Sequence, residues 1–143
     1  MAIRISHALN EYLVNNGFAG ITRGWDFAIF SRDYKLWDVR DIDFIREGDI
    51  LKTQGPLSGL IIRSGIAMLF NLWLVSAPSY FIEGSCGCIG ADINLNSATL
   101  NVGDTLTIDN LQVVYGTGAT PSITTEQPRH IYTIQFEESI IWD

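Results

Sequence analysis

Residues Glu83 to Tyr115, EGSCGCIGADINLNSATLNVGDTLTIDNLQVVY, alternate apolar and polar side chains between glycine-bearing turns. Ile89, Ala91, Ile93 and Leu95 share one parity, then Leu100 and Val102, then Leu106 and Ile108, and finally Leu111, Val113 and Tyr115. Successive strand side chains point to opposite faces, so each set predicts one covered face of a half-buried antiparallel sheet. The parity changes at Asp109 and Asn110, residue types depleted from regular strands, and a bend or bulge is expected there. Gly103 and Asp104 suit a tight reversal.

Working outward, residues 64–82 carry no charged side chain. Asn71, Ser76, Pro78 and Ser79 interrupt that run, which argues for strands rather than a bilayer span. Two buried strands are predicted, Gly65 to Val75 and Tyr80 to Ile82, joined by a turn at Ala77-Pro78-Ser79. Toward the N-terminus, Ile5, Leu9, Tyr12 and Leu13 recur at helical spacing, with Ser6 placed to cap and Asn16-Gly17 to terminate. Trp25, Phe27 and Ile29 alternate with Asp26 and Ala28, predicting a first strand through Phe30. Residues 31–52 mix Tyr34, Trp37 and Phe44 with both signs of charge, the pattern of strands or a loop at a surface. Residues 116–128, GTGATPSITTEQP, read as a linker. Beyond it, Tyr132, Ile134 and Phe136 alternate with Ile131, Thr133 and Gln135 as a short strand before the apolar end Ile140-Ile141-Trp142. Large apolar groups at a terminus call for something to dock on.

These strings carry a resemblance. GADINLN (90–96), VGDTLTIDNLQVVY (102–115) and the preceding FNLWLVSAPSYFIEGSCGC (70–88) resemble small virion-associated proteins of tailed bacteriophages, whose members carry lines such as WFRLVDSDGN, GSVGTSGADLNL and AGDTVSVTSFTI. The match covers roughly Leu69 to Tyr115 well and Ile5 to Ser31 loosely, through SHALNEYLVNNG and GWDFAIFS. Two regions depart from the family: SRDYKLWDVRDIDF (31–44) and the tail from Gly116 to Asp143. The resemblance implies a structural protein of the virion; it does not say where on the particle.

At 143 residues, 47% hydrophobic and 17% charged, the chain is long enough for one compact domain. A β-rich core with its N-terminal helix is expected over 1–115, and a linker with a C-terminal arm or strand over 116–143. The formal net charge of -7 argues against a nucleic-acid partner, because phosphate neutralisation needs clustered Lys and Arg. Beyond Lys52 the only Lys or Arg side chains are Arg63 and Arg129. The opening MAIRISHALNEYL has polar and acidic residues where a secretory signal needs an apolar run, so a chain made and used in a cytoplasm is expected.

Candidate chemistry is sparse. Cys86-Gly87-Cys88 offers two thiols where a closed zinc site wants four ligands, and His7 and His130 lie far apart without paired spacing. On a strand both thiols would face one side as small core residues. Asp33, Asp38, Asp41 and Asp43 cluster, but not at the spacing of a calcium loop, and Arg40 and Arg46 offer ion-pair partners. No G-x-S-x-G elbow, P-loop or G-x-G-x-x-G is present. Trp37 with Tyr34, and Trp25 beside Asp26, are arranged as a sugar-stacking platform would be, although core and interface aromatics are commoner.

The reading is therefore a non-enzymatic structural protein, without cofactor, metal, nucleic-acid or membrane partner. By the resemblance it would sit on the virion, assembled in the bacterial cytoplasm, as a capsid decoration or cement protein on the lattice of the major capsid protein. A tail, neck or baseplate adaptor is the alternative, and a receptor- or glycan-binding module the second. The expected fold is mainly β, an antiparallel sandwich or jelly-roll-like barrel of about seven to nine strands. Edge strands in such a fold favour a homo-oligomer, with a trimer expected by analogy with other decoration proteins. The candidate partner-binding residues are Tyr34, Trp37 and Phe44, together with Ile131, Tyr132, Ile134, Phe136, Ile141 and Trp142.

Overall fold

The computed structural model describes residues 3–48, 50–115 and 131–136. In chain order its elements are β1 (Arg4–Ile5), α1 (His7–Asn16), β2 (Trp25–Phe30), β3 (Lys35–Ile42), β4 (Phe44–Glu47), β5 (Ile50–Thr53), β6 (Leu57–Leu60) and β7 (Gly65–Ile66). Then come β8 (Leu69–Leu74), β9 (Ala77–Gly87), β10 (Ile93–Asn94), β11 (Thr99–Leu100), β12 (Thr105–Ile108), β13 (Asn110–Tyr115) and β14 (Ile131–Phe136). The fold is mainly β and sandwich-like. One sheet runs β1-β9-β8-β2-β3, with β10 added to β9. The other runs β14-β13-β5-β4, and the pairs β11-β7 and β12-β6 complete the set.

One continuous core fills the space between the sheets. Trp25, Phe27 and Ile29 deliver the alternation that defines β2, and the small Ala28 is buried on the opposite face, where it stands between the larger Asp38 of β3 and Asn71 of β8. The Phe27 ring meets Trp37 edge-on at 5.9 Å and Phe70 at 5.9 Å, while Trp25 meets Phe44 edge-on at 6.4 Å. Offset and edge-to-face contacts of this kind suit the ring quadrupoles.

The helix forms where its signals lie. Ser6 Oγ accepts from the Leu9 N–H at 3.2 Å and also from the Phe81 N–H at 3.2 Å, so the cap fastens α1 to β9. Leu9 and Leu13 are buried beneath it, and Gly17, at a φ of 59°, ends it by donating to the Leu13 carbonyl.

Asp109 is the expected bend. There the chain changes partner, from β12 antiparallel to β6 to β13 antiparallel to β5. Ile108 and Leu111 are both buried on either side of it, and Thr53 Oγ1 takes the Leu111 N–H at 3.1 Å where the ladder is interrupted. Gly103, at a φ of 92°, makes the reversal before β12.

Four expectations are corrected. The run 65–75 is two strands, because the chain leaves β11 at Ile66 and joins β2 and β9 from Leu69 onward. The turn into β9 is Val75-Ser76; Leu74 pairs Ala77 and Trp73 pairs Phe81. Pro78 thus lies in the register shift between them, where its missing N–H costs no ladder bond. Ile89 is exposed in the loop before the two-residue β10, so the alternation there begins only at Ile93. Finally, fourteen strands occur among the described residues, since sheet changes divide longer apolar runs into short pairings.

β14 lies parallel to β13 over its whole length, Asn110 opposite Ile131 and Tyr115 opposite Phe136. The expected strand at 131–136 therefore exists and edges the four-stranded sheet. The linker at 116–128 and the apolar end Ile140-Ile141-Trp142 lie outside the described residues.

Candidate interaction surface

The loop-and-strand stretch from Leu60 to Met68 alternates inward and outward side chains without becoming a long strand. Ile61 and Ala67 turn into the core, while Leu60 (62% exposed), Ile62 (53%), Ile66 (60%) and Met68 (48%) face out. Val102 (61%) joins them from the neighbouring turn, where its N–H donates to Ser64 Oγ at 2.8 Å.

The backbone under this strip is firmly held. Ile61 donates to the Asp104 carbonyl, Ile62 to Leu36, Ala67 to Ala98 and Met68 to Phe30, all between 2.8 and 2.9 Å. Leu60 pairs Thr105 and Ile66 pairs Thr99. A backbone held in this way loses little further freedom when a partner covers its outward apolar side chains, which favours binding. Charge is scarce here too: between Lys52 and Glu83, Arg63 is the only Asp, Glu, Lys or Arg, and the neighbouring turn adds Asp104.

Tyr34 stands at the margin of the strip. Arg63 lies over its ring, 4.0 Å from the centroid, and its hydroxyl donates to the Ser64 carbonyl at 3.2 Å. Its two companions are elsewhere. Trp37 is 0% exposed, wedged against Phe27 with Nε1–H donating to the Gly59 carbonyl at 3.1 Å, and Phe44 is 4% exposed against Trp25. Both were expected at a contact surface, and both belong to the core. The reason is tertiary: Leu36 and Trp37 are consecutive and both buried, and the chain through Gly59 to Ile62 packs beside them, Gly59 accepting from the indole and Ile62 donating to the Leu36 carbonyl. An added Cβ at Gly59 would lie 3.1 Å from the Asp38 carbonyl oxygen and 3.2 Å from the indole nitrogen, so the ring packs close against this glycine. The sugar-stacking pair of Tyr34 and Trp37 is not formed. For Ile131, Tyr132, Ile134 and Phe136 the structure describes backbone only, and Ile141 and Trp142 lie outside the described residues.

The carboxylates are dispersed into structural roles. Asp38 accepts from Lys35 Nζ at 2.9 Å and Arg40 Nε at 3.2 Å. Burial pushes its pKa up, but these two cationic hydrogen-bond donors outweigh that and leave it below the ordinary carboxylate value. Asp26 accepts the Asp41 N–H at the corner where Asp41 takes a φ of 57°, and Asp43 accepts the Gly24 N–H. An open hollow of 460 Å³ beside them is lined by Arg23, Gly24, Asp41, Asp43, Val75 and Ser76. No group of three or more His, Cys, Asp or Glu positioned for a metal occurs among the described residues.

The two thiols do not share a face. β9 ends at Gly87, leaving Cys86 buried as its last inward side chain and Cys88 exposed in the following loop. Burial pushes the Cys86 pKa up to about 12, which removes its thiolate at neutral pH. His7 is exposed at the start of α1, and His130 lies outside the described residues. No helix among the described residues is long and apolar enough to cross a membrane.

The exposed strip is the feature sequence reasoning missed. A signal for it was available: Leu60, Ile61 and Ile62 are consecutive apolar residues, and extended backbone must turn at least one of three outward. Comparison with protein-family models, curated proteins and solved structures finds no match to this chain.

Proposed function

We propose that this chain is a non-enzymatic structural protein of a tailed-phage particle, attached as a decoration or cement protein to the lattice of the major capsid protein. The observation that carries the reading is the rigid, charge-poor strip of Leu60, Ile62, Ile66, Met68 and Val102. Exposed apolar residues scattered singly need no explanation, but a group on one firmly bonded stretch is the mark of a protein contact. Tyr34 and Arg63 at its margin are residue types enriched in interface hot spots. The remaining acidic surface keeps copies soluble before assembly. The sequence resemblance supplies the virion; the strip supplies a means of attachment. On the particle it acts as a homo-oligomer, a trimer by analogy with other decoration proteins.

The test separates purified particles into heads and tails and probes each for this chain. Recovery with heads supports decoration, recovery with tails moves the site to a neck, tail or baseplate, and absence from both refutes a virion role. In parallel, Ile62→Asp with Ile66→Asp should abolish attachment while changing the unfolding free energy by less than about 1 kcal/mol, because both side chains already face water.

A further inference from the structure

We propose that β14 is an exchangeable strand: in the assembled protein it pairs with β13 of a neighbouring copy rather than its own. The inference rests on the assembly reading above and names the contact between copies.

This partner covers more of β13 than β5 does. β5 pairs only Gln112 to Val114, whereas β14 runs along all of Asn110 to Tyr115. Leu111, Val113 and Val114 are fully buried, so β13 is an interior strand, and β14 supplies the partners that its second row of backbone N–H and C=O groups needs. The filling strand is parallel, in a sheet whose other pairings are antiparallel. A parallel return requires the chain to travel back the length of β13, roughly 20 Å at about 3.3 Å per residue.

Fifteen residues of sequence, 116–130, separate β13 from β14, more than such a return needs. Fifteen residues can span about 50 Å. Their sequence, GTGATPSITTEQPRH, has two glycines, two prolines and Ile123 as its one large apolar side chain, without the apolar period that seats a crossover helix on a sheet. Nothing in that sequence commits β14 to its own copy, and the surplus reach crosses to an adjacent one. The same backbone bonds form in either arrangement. Concentration therefore decides: a tethered strand sees its own β13 at about millimolar effective concentration, and close-set copies on a particle present competing edges at similar density.

The register supplies the test. Gln112 stands opposite Thr133. Gln112→Cys and Thr133→Cys are placed on separate, differently tagged full-length chains, each with Cys88→Ser, then mixed, assembled and oxidised. Exchange predicts a covalent dimer carrying both tags in the oligomeric or particle-bound fraction. The chain bearing both substitutions should, as an isolated monomer, close within itself, which verifies the register. Oligomers or particle-bound copies that link only within one chain would overturn the proposal, as would a protein that remains monomeric at every concentration and on particles. Particle attachment is scored separately, so closure within one chain on a particle sinks exchange and leaves the structural role standing.

Discussion

Replacing Trp37 by alanine probes the point at which surface and core readings of this chain diverge most. The side chain is 0% exposed, packs edge-on against Phe27 at 5.9 Å and donates to the Gly59 carbonyl at 3.1 Å. Truncating a buried tryptophan costs about 3 to 5 kcal/mol through lost burial and the cavity left behind. The lost hydrogen bond adds about 1 kcal/mol. The sum, roughly 4 to 6 kcal/mol, rivals the entire stability of many domains, which lies at about 5 to 15 kcal/mol. Trp37→Phe is the gentler probe: it keeps a ring against Phe27, removes the donor and leaves a smaller void, for an expected loss of about 2 kcal/mol. For a chain of this size that lowers the melting temperature by about 6 °C. Thermal and urea unfolding followed by far-ultraviolet circular dichroism measures both variants independently of indole fluorescence. A Trp37→Ala protein melting within about 2 °C of the parent would refute the core assignment, and with it the closure of β3 by the chain around Gly59.

Three further outcomes are expected. Gly84→Ala should destabilise by about 1 to 3 kcal/mol, the usual range for overpacking. Its new Cβ would fall 2.6 Å from Phe70 Cε2 and 2.7 Å from Asp92 Oδ2, the latter already held by Ser85; an unchanged urea midpoint would contradict this packing. Native protein treated with a thiol reagent at pH 8 should lose one thiol, Cys88, and yield Cys86 only on unfolding, as peptide mapping by mass spectrometry would reveal. Asp38→Asn should cost up to about 1 kcal/mol, the range of an exposed ion pair. Because the folded pKa of Asp38 lies below its ordinary 3.8, the contribution is present above pH 3.8 and disappears as pH falls through the folded value. Unfolding curves of parent and variant should therefore converge at acid pH, and a gap that widens there would reverse the sign of the argument.

The readable parts of this chain were those governed by neighbours in sequence. Ser6, Gly17, Gly103 and the parity change at Asp109 each act within a few residues, and each sits where local chemistry placed it. The alternation of Trp25, Phe27 and Ile29 behaved likewise, since a period of two survives whatever sheet receives it. Trp37 and Phe44 are buried despite the charges that flank them in sequence, because neighbouring charges do not mark a strand residue as exposed. In a strand, Asp38 and Arg40 can meet solvent while Trp37 points the other way.

The misplaced thiols and the unseen strip share another cause. Whether Cys88 belongs with Cys86 depends on where β9 stops, and β9 stops where β10 ceases to pair with it, at Gly87. Whether Ile62 and Ile66 are covered depends on which strands lie beside them, and that is settled by pairings many residues away, through Leu36 and Thr99.

By itself, then, the sequence determined that this is a β-rich chain with one capped helix, where several strands begin and turn, and that no familiar catalytic motif is present. Tertiary structure alone decided which apolar residues meet water, which aromatics close the core, and that β14 fills the edge of β13. Periodicity assigns a side chain to one of two faces, but a face becomes core or surface only when long-range pairing puts another layer over it.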